Sequence, residues 1–280
     1  MRRLLQETYD KNQAMKNLEG IMKNILILAF SLLFTFTTVC KVSALEDTPI
    51  TITVLYDNYI FSEGLQTDWG YSCIVEGTEK TILFDTGTNS DILFHNINKL
   101  NMNPKDVELV AISHIHGDHT GGLSVFLNEN NKVTVYLPVS FPDEFDSGVE
   151  KVGAKVVSVD KPVEICKGVS LTGEMGDLIK EQSLIVETSK GLVVITGCAH
   201  PGIVGIVKKA KEVIDKEVYL VCGGFHLLSK SEDEVMEIIN EFKDLGVMKV
   251  GPTHCTGDKA IELFKEAYKE NFVQMGVEKL

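Results

Sequence analysis

Basic residues are scarce in this 280-residue sequence: 27 Lys and Arg stand against 40 Asp and Glu, a formal net charge of −13. Nucleic acids are held through their phosphates by basic surfaces, so this balance argues against a nucleic-acid partner. It gives no support to a peripheral contact with anionic lipid either. Cysteine is sparse as well. Beyond residue 44 only Cys73, Cys166, Cys198, Cys222 and Cys255 remain. An odd number at wide spacings argues against a disulfide framework, which a domain of this size does not need. The chain also lacks short repeats, low-complexity breaks after Ala44 and any segment poor enough in apolar residues to be disordered. With 44% hydrophobic and 24% charged residues, the composition is that of a globular protein with a real core.

The apolar run Ile25–Val39, ILILAFSLLFTFTTV, falls short of the ~20 residues that a spanning helix needs. Lys23-Asn24 precede it and Val42-Ser43-Ala44 follow as a small-residue cleavage signal, the three-part layout of a secretory signal peptide. An uncleaved amino-terminal anchor is the rival reading. Translation from Met22 would leave residues 1–21 as an upstream extension, and the bulky Val39 before Cys40 fits a lipoprotein site poorly. Residues 1–44 are therefore set apart from the fold, and residues 45–280 are read as one catalytic domain. The protein is expected to be exported (secreted, periplasmic or membrane-anchored), with membrane contact only through an uncleaved leader. Loss of the leader brings the net charge to −16.

The remainder alternates β-rich runs with amphipathic helical patterns. Period-two alternation marks a strand at Ile50–Leu55, and further strands are read at Tyr71–Val75, Thr81–Phe84 and Val107–Ile112. In the second half, strands are expected at Ser183–Glu187, Leu192–Thr196, Val218–Val221, Met248–Val250 and Phe272–Val277. Helices are expected from Ser90 to Leu100, through Ile203–Ile214, after the capping box Ser231-Glu232-Asp233-Glu234, and around Ile261–Ala267. One α/β domain with two central sheets and outer helices fits this order. Loops Asp57–Asp68 and Ser140–Val149, with Tyr59, Phe61, Phe141 and Phe145, are candidates to line a pocket.

Chemistry concentrates in His114-Ile115-His116-Gly117-Asp118-His119, directly after an apolar strand and before Thr120-Gly121-Gly122. On an extended segment, alternate side chains point to the same side, so His114 and His116 can converge on one ion. Asp118 and His119, on the turning chain, can face a second. Four ligand-type residues at this spacing are hard to explain by packing. His200, His226 and His254 stand at later strand-to-loop transitions in the phrases TGCAHPG, GGFH and PTHCTG. His95, in a helical pattern beside Phe94, carries no functional expectation.

The run SHIHGDHTGG resembles the His-x-His-x-Asp-His signature of the metallo-β-lactamase superfamily, and the resemblance covers residues 49–280. It implies a four-layer αββα sandwich with the metal site at one edge of the two sheets. It also implies that His114 and His116 hold one metal, Asp118 and His119 the other, with His200 and His254 as further ligands. Asp85, in ILFDTG, matches the Asp that orients a ligating imidazole from behind. The later phrases resemble a subgroup containing the archaeal synthase that joins a dihydropterin to a ribofuranosylaminobenzene phosphate, together with bacterial metal-dependent hydrolases. This chain departs from the superfamily at the slot of a metal-bridging Asp, which reads Cys198. That side chain is expected behind the ligands as a small buried residue, with ligation of a soft metal as the alternative.

The implied activity is hydrolysis of an ester, phosphoester, amide or thioester by metal-activated water, with a small molecule as substrate; Asp118 and His226 are read as its catalytic groups, with metal ligation as the alternative for His226. Zn²⁺, in two ions, is the expected cofactor, with Mn²⁺ or Fe²⁺ as alternatives. The alternative function is a transferase or synthase acting on pterin-like and phosphorylated aromatic substrates. An exported metal-binding protein without activity is a third class.

Overall fold

The computed structural model describes residues 49–279. The leader assigned to residues 1–44 lies outside the described residues. Strands β1 (Thr51–Tyr56), β2 (Ser72–Glu76), β3 (Ile82–Phe84), β4 (Leu109–Ala111), β5 (Thr134–Pro138) and β6 (Lys155–Val159) form one sheet. β7 (Val163–Cys166), β8 (Val169–Leu171), β9 (Leu184–Thr188), β10 (Gly191–Thr196), β11 (Val218–Gly224) and β12 (Lys249–Thr253) form the second. The short β13 (Glu278–Lys279) adds to the open side of β1. The first sheet has the order β13-β1-β2-β3-β4-β5-β6 and the second β12-β11-β10-β9-β8-β7.

The central strands of both sheets are buried on both faces, so they read as nearly continuous apolar runs. In β10, Leu192 and Val194 pack into a core with the helices, while Val193 and Ile195 pack into the core between the sheets. The sheet-to-sheet core also holds Ile52, Val54, Phe84, Ala111 and Cys222. Outside the first sheet, helix α1 (Ser90–Lys99) sets Leu93 and Ile97 against Leu83 and Val110. Of the two helices that follow, α2 (Gly117–Thr120) is a single turn, and α3 (Leu123–Glu129) adds Phe126 to the same core. Outside the second sheet lie α5 (Ile203–Val213), α6 (Glu232–Asp244) and α7 (Asp258–Tyr268), the last two joining Phe225 in a cluster of Phe242 and Phe264. Four layers result: helices, sheet, sheet, helices. This is the αββα sandwich. The capping box at Ser231 is present, with the Ser hydroxyl and the Glu234 carboxylate each serving a backbone N–H.

Two expectations are corrected. Phe272–Val277 is not a strand: single bridges tie Phe272 to Val250 and Val277 to Ile60, and ladder pairing resumes only at Glu278. Ser140–Val149 is largely helical rather than a loop, because α4 (Asp143–Lys151) occupies most of it. Its Phe141 is buried against Phe145 in the outer core of the first sheet. Cys73, Cys166, Cys198, Cys222 and Cys255 are free and buried.

Candidate metal centre

Strands β3, β4 and β10–β12 run parallel within their sheets. Their carboxyl ends carry Asp85, His114–His119, Cys198–His200, His226 and His254 in turn. To point inward from these ends the backbone turns sharply. Asp85, Ala199, His226 and His254 adopt φ of 59°, 63°, 55° and 49°. The left-handed region costs an L-residue roughly 1–2 kcal/mol, and its use at four strand ends of one cleft marks a functional site. The two sheets also approach closely here. A Cβ on Gly197 would collide with the Ser113 hydroxyl and lie 2.9 Å from Asp85 Oδ2, so only glycine fits.

Seven donor groups converge in two neighbouring sets. His114, His116 and His200 form one; Asp118, His119, Cys198 and His254 form the other, and within each set the donor atoms lie within 4.8 Å of one another. The rings of His114 and His200 are 4.8 Å apart, and His114 Nε2 is 3.1 Å from His116 Nδ1. His119 Nε2 and His254 Nε2 lie 3.2 and 3.4 Å from Cys198 Sγ, and 3.6 and 3.4 Å from Asp118 Oδ2. Cys198 thus stands among the donors rather than behind them, and it also belongs to a third set with His200 and His226. His226 is exposed, its ring 4.3 Å from that of His200 at the rim of the cleft.

The residues behind the donors fix which nitrogen faces inward. Asp85 is wholly buried and accepts from Ser113 N and Ser113 Oγ, each at 2.7 Å. Its Oδ2 also lies 2.7 Å from His119 Nδ1, which turns His119 Nε2 toward Asp118 and Cys198. Asn58 does the same for His254, with Oδ1 3.1 Å from Nδ1 and Nδ2 donating to the His254 carbonyl at 3.0 Å. Glu181 is buried too. Its Oε1 accepts from Cys198 N and Ala199 N at 2.9 and 2.8 Å, and its Oε2 from His200 N at 2.8 Å. Next to it, Gln182 N donates to the Ser113 carbonyl at 2.9 Å and Gln182 Nε2 to the Ile112 carbonyl at 2.9 Å. Residues 181–182 therefore clasp the loops of both sheets that carry the donors. Asn58, Glu181 and Gln182 escaped the sequence reading, because their partners are largely backbone groups that leave no side-chain motif. His95 bonds the Gly64 carbonyl through Nε2 at 2.8 Å, away from the donors.

The electrostatics suit a cation. Burial, followed by the crowding of neighbouring imidazoles, pushes His114 far below the usual histidine range and His200 down to about 4. Both are neutral at pH 7, the form that binds metal. Burial also works against charge on His119, but contact with Asp85 outweighs it and lifts the group to about 9. Burial tends to raise Asp118, yet the His254 bond and the adjacent His119 charge hold it well below the carboxylate range. His200 Nε2 is buried with no hydrogen-bond partner, which is costly unless a cation takes its lone pair. Imidazole, carboxylate and thiol donors around a common point match the ligand chemistry of Zn²⁺ or another late transition metal. They form a His/Asp/Cys cluster typical of metal-activated hydrolysis in this fold.

Comparison with known proteins agrees with this geometry. A family model described as the metallo-beta-lactamase superfamily matches residues 70–212, which include the His114–His119 run and His200. The chain is 32% identical to 7,8-dihydropterin-6-methyl-4-(beta-D-ribofuranosyl)-aminobenzene-5'-phosphate synthase of Methanocaldococcus jannaschii, over 82% of this chain and 96% of that protein. The solved structure of Tm1679, a metal-dependent hydrolase of the beta-lactamase superfamily, is 32% identical with a TM-score of 0.69, covering 83% of this chain and 98% of Tm1679. The fold alone is shared with YhfI of Bacillus subtilis, at 14% identity and a TM-score of 0.60 over 83% of this chain and 99% of YhfI. The strand-end donor cluster, the αββα layers and these likenesses agree: the chain belongs to the metallo-β-lactamase superfamily.

Proposed function

We propose that the protein is an exported, zinc-dependent hydrolase of a small ester, phosphoester, amide or thioester. The observation that carries this reading is the convergence of seven donors from separate strand ends into two neighbouring sets, linked through Cys198 and His200. His114, His116 and His200 would hold one ion, and Asp118, His119, Cys198 and His254 the other. The thiol donor favours Zn²⁺ or Fe²⁺ over Mn²⁺. When bound, such a pair supplies a water acidic enough to attack at neutral pH and polarises the bond under attack. Asp118, whose side chain retains 18% exposure, holds its carboxylate at the mouth of the cleft, where it can take a proton from the attacking water. His226, lifted above the usual histidine range by its bond to Cys255, is placed to return a proton to the leaving group. Asp85 and Asn58 keep His119 and His254 in the tautomer whose Nε2 faces inward.

The signal-peptide layout of residues 1–44 supports export. Among the described residues no helix is long and apolar enough to cross a membrane. A second reading, a transferase joining a pterin-like to a phosphorylated aromatic substrate, rests on the 32% identity to the archaeal synthase. The leader weighs against it, because pterin biosynthesis is cytosolic. The test is His116→Ala, assayed for metal content and for hydrolysis of phosphodiester, lactone, thioester and β-lactam substrates. Loss of about one metal equivalent together with hydrolysis is expected. Full retention of both would overturn the assignment.

A further inference from the structure

We propose that Trp69 forms the wall of a substrate subsite that takes a planar aromatic group beside the metal centre; this rests on the metal-centre reading above. Trp69 is the sole tryptophan of the chain and remains 46% exposed. Its ring centroid lies 4.9 Å from that of His254, with the planes tilted by 51°. A molecule held at the Asp118–His254 set therefore meets the indole.

The backbone that carries the indole is held firmly. Tyr71 N donates to the Asp118 carbonyl at 3.2 Å, and Gly70 N donates to Asn58 Oδ1 at 3.3 Å, the same oxygen that faces His254 Nδ1. The Thr88 hydroxyl donates to the Trp69 carbonyl. Gly70 has φ of 146°, and a Cβ there would lie 2.6 Å from the Asp118 carbonyl oxygen, so the chain at Trp69 is pressed against the loop that carries the donors. Asn58 and Asp118 thus tie the backbone on either side of Trp69 and the His254 imidazole into one frame, and the ring contact with His254 places the indole at its edge. A pre-positioned ring loses little freedom when a ligand docks on it. Its flat, polarisable face favours another flat ring beyond the gain from buried area, whereas an aliphatic group gains area alone. The half-exposed Ile115, within the His114–His119 run, adds apolar surface on the same loop.

Phenylphosphonate and methylphosphonate carry the same metal-seeking head and differ in the group offered to the indole. In the zinc-loaded protein, phenylphosphonate is expected to bind several-fold to about tenfold tighter than methylphosphonate. It should also quench the emission of the single tryptophan. Trp69→Ala should bring the ratio of the two affinities close to one, and Trp69→Phe should restore most of it. A ratio unchanged in Trp69→Ala, or no phenyl preference in the parent protein, overturns the subsite while methylphosphonate binding leaves the metal centre standing. If neither phosphonate binds and zinc is not taken up, the metal-centre reading falls, and the subsite with it.

Discussion

The Glu181 carboxylate accepts the backbone N–H of His200 at 2.8 Å and so holds in place an imidazole 19 residues along the chain. Together with its bonds to Cys198 N and Ala199 N, it sustains a loop in which Ala199 is forced to φ of 63°. Glu181→Gln keeps the shape but turns one acceptor into a donor, set against a backbone N–H that is also a donor. Metal affinity should fall by about 10–100-fold, the usual penalty for losing a group that orients ligands. Equilibrium dialysis against Co²⁺, with circular dichroism to verify folding, measures this. Affinity equal to that of the parent protein would show that the loop holds its shape unaided.

How legible each residue was depended on where its partners lie. His114–His119 announced itself because four ligand types are adjacent in sequence, and His200 and His254 because each follows a strand. Glu181 is a carboxylate whose acceptor capacity is used by three backbone N–H groups, and no residue pattern records that. Asn58 was hidden for the same reason, since its partner His254 is 196 residues away. Among the elements, α4 escaped because only Val149 of its nine residues is buried and acidic residues fill its first turn, so the i, i+4 spacing of Phe145 and Val149 suggested pocket lining rather than one face of a helix. Phe272–Val277 invited a strand reading because Met275 and Val277 do enter the core, yet they do so from an irregular segment.

Cys198 was expected behind the ligands, yet its Sγ lies 3.2 Å from His119 Nε2 and 3.4 Å from His254 Nε2. Co²⁺-loaded protein should therefore show a sulfur-to-cobalt charge-transfer absorption in the near ultraviolet. Cys198→Ser should abolish that band and weaken one of the two sites by about tenfold or more, since losing a ligand costs at least as much as losing its support. A band that persists in Cys198→Ser would assign the thiolate to Cys255 instead.

Phe264 is fully buried, its ring 5.5 Å from Phe225 and 5.7 Å from Phe242. Phe264→Ala should destabilise the protein by about 3–5 kcal/mol, through lost transfer energy and the cavity left behind. Urea unfolding followed by circular dichroism measures it. A loss below about 1 kcal/mol would mean that the helices collapse to fill the space.

Asp57 is wholly buried and donates nothing to the metal; its Oδ2 accepts the Thr253 hydroxyl at 2.6 Å, at the end of β12. Burial, only partly offset by that bond, lifts its carboxyl from 3.8 to about 6. Between about pH 4 and 6 the folded protein keeps a proton that the unfolded chain has released. This group's contribution to stability is therefore largest at acid pH, falls as pH rises through that window and is constant above it. The full change is about 3 kcal/mol. His114, buried and neutral, acts in the opposite sense below its ordinary value, so the parent profile alone does not isolate Asp57. The difference between parent and Asp57→Asn does, because Asn carries no proton to lose. Measured by urea unfolding of the metal-free proteins, the parent should lose about 2 kcal/mol relative to the variant between pH 4 and 6, the rest of the change falling on either side of that window. A difference that stays flat across the window would mean that Asp57 is ionised throughout, and that Thr253 and the nearby His254 compensate its burial in full.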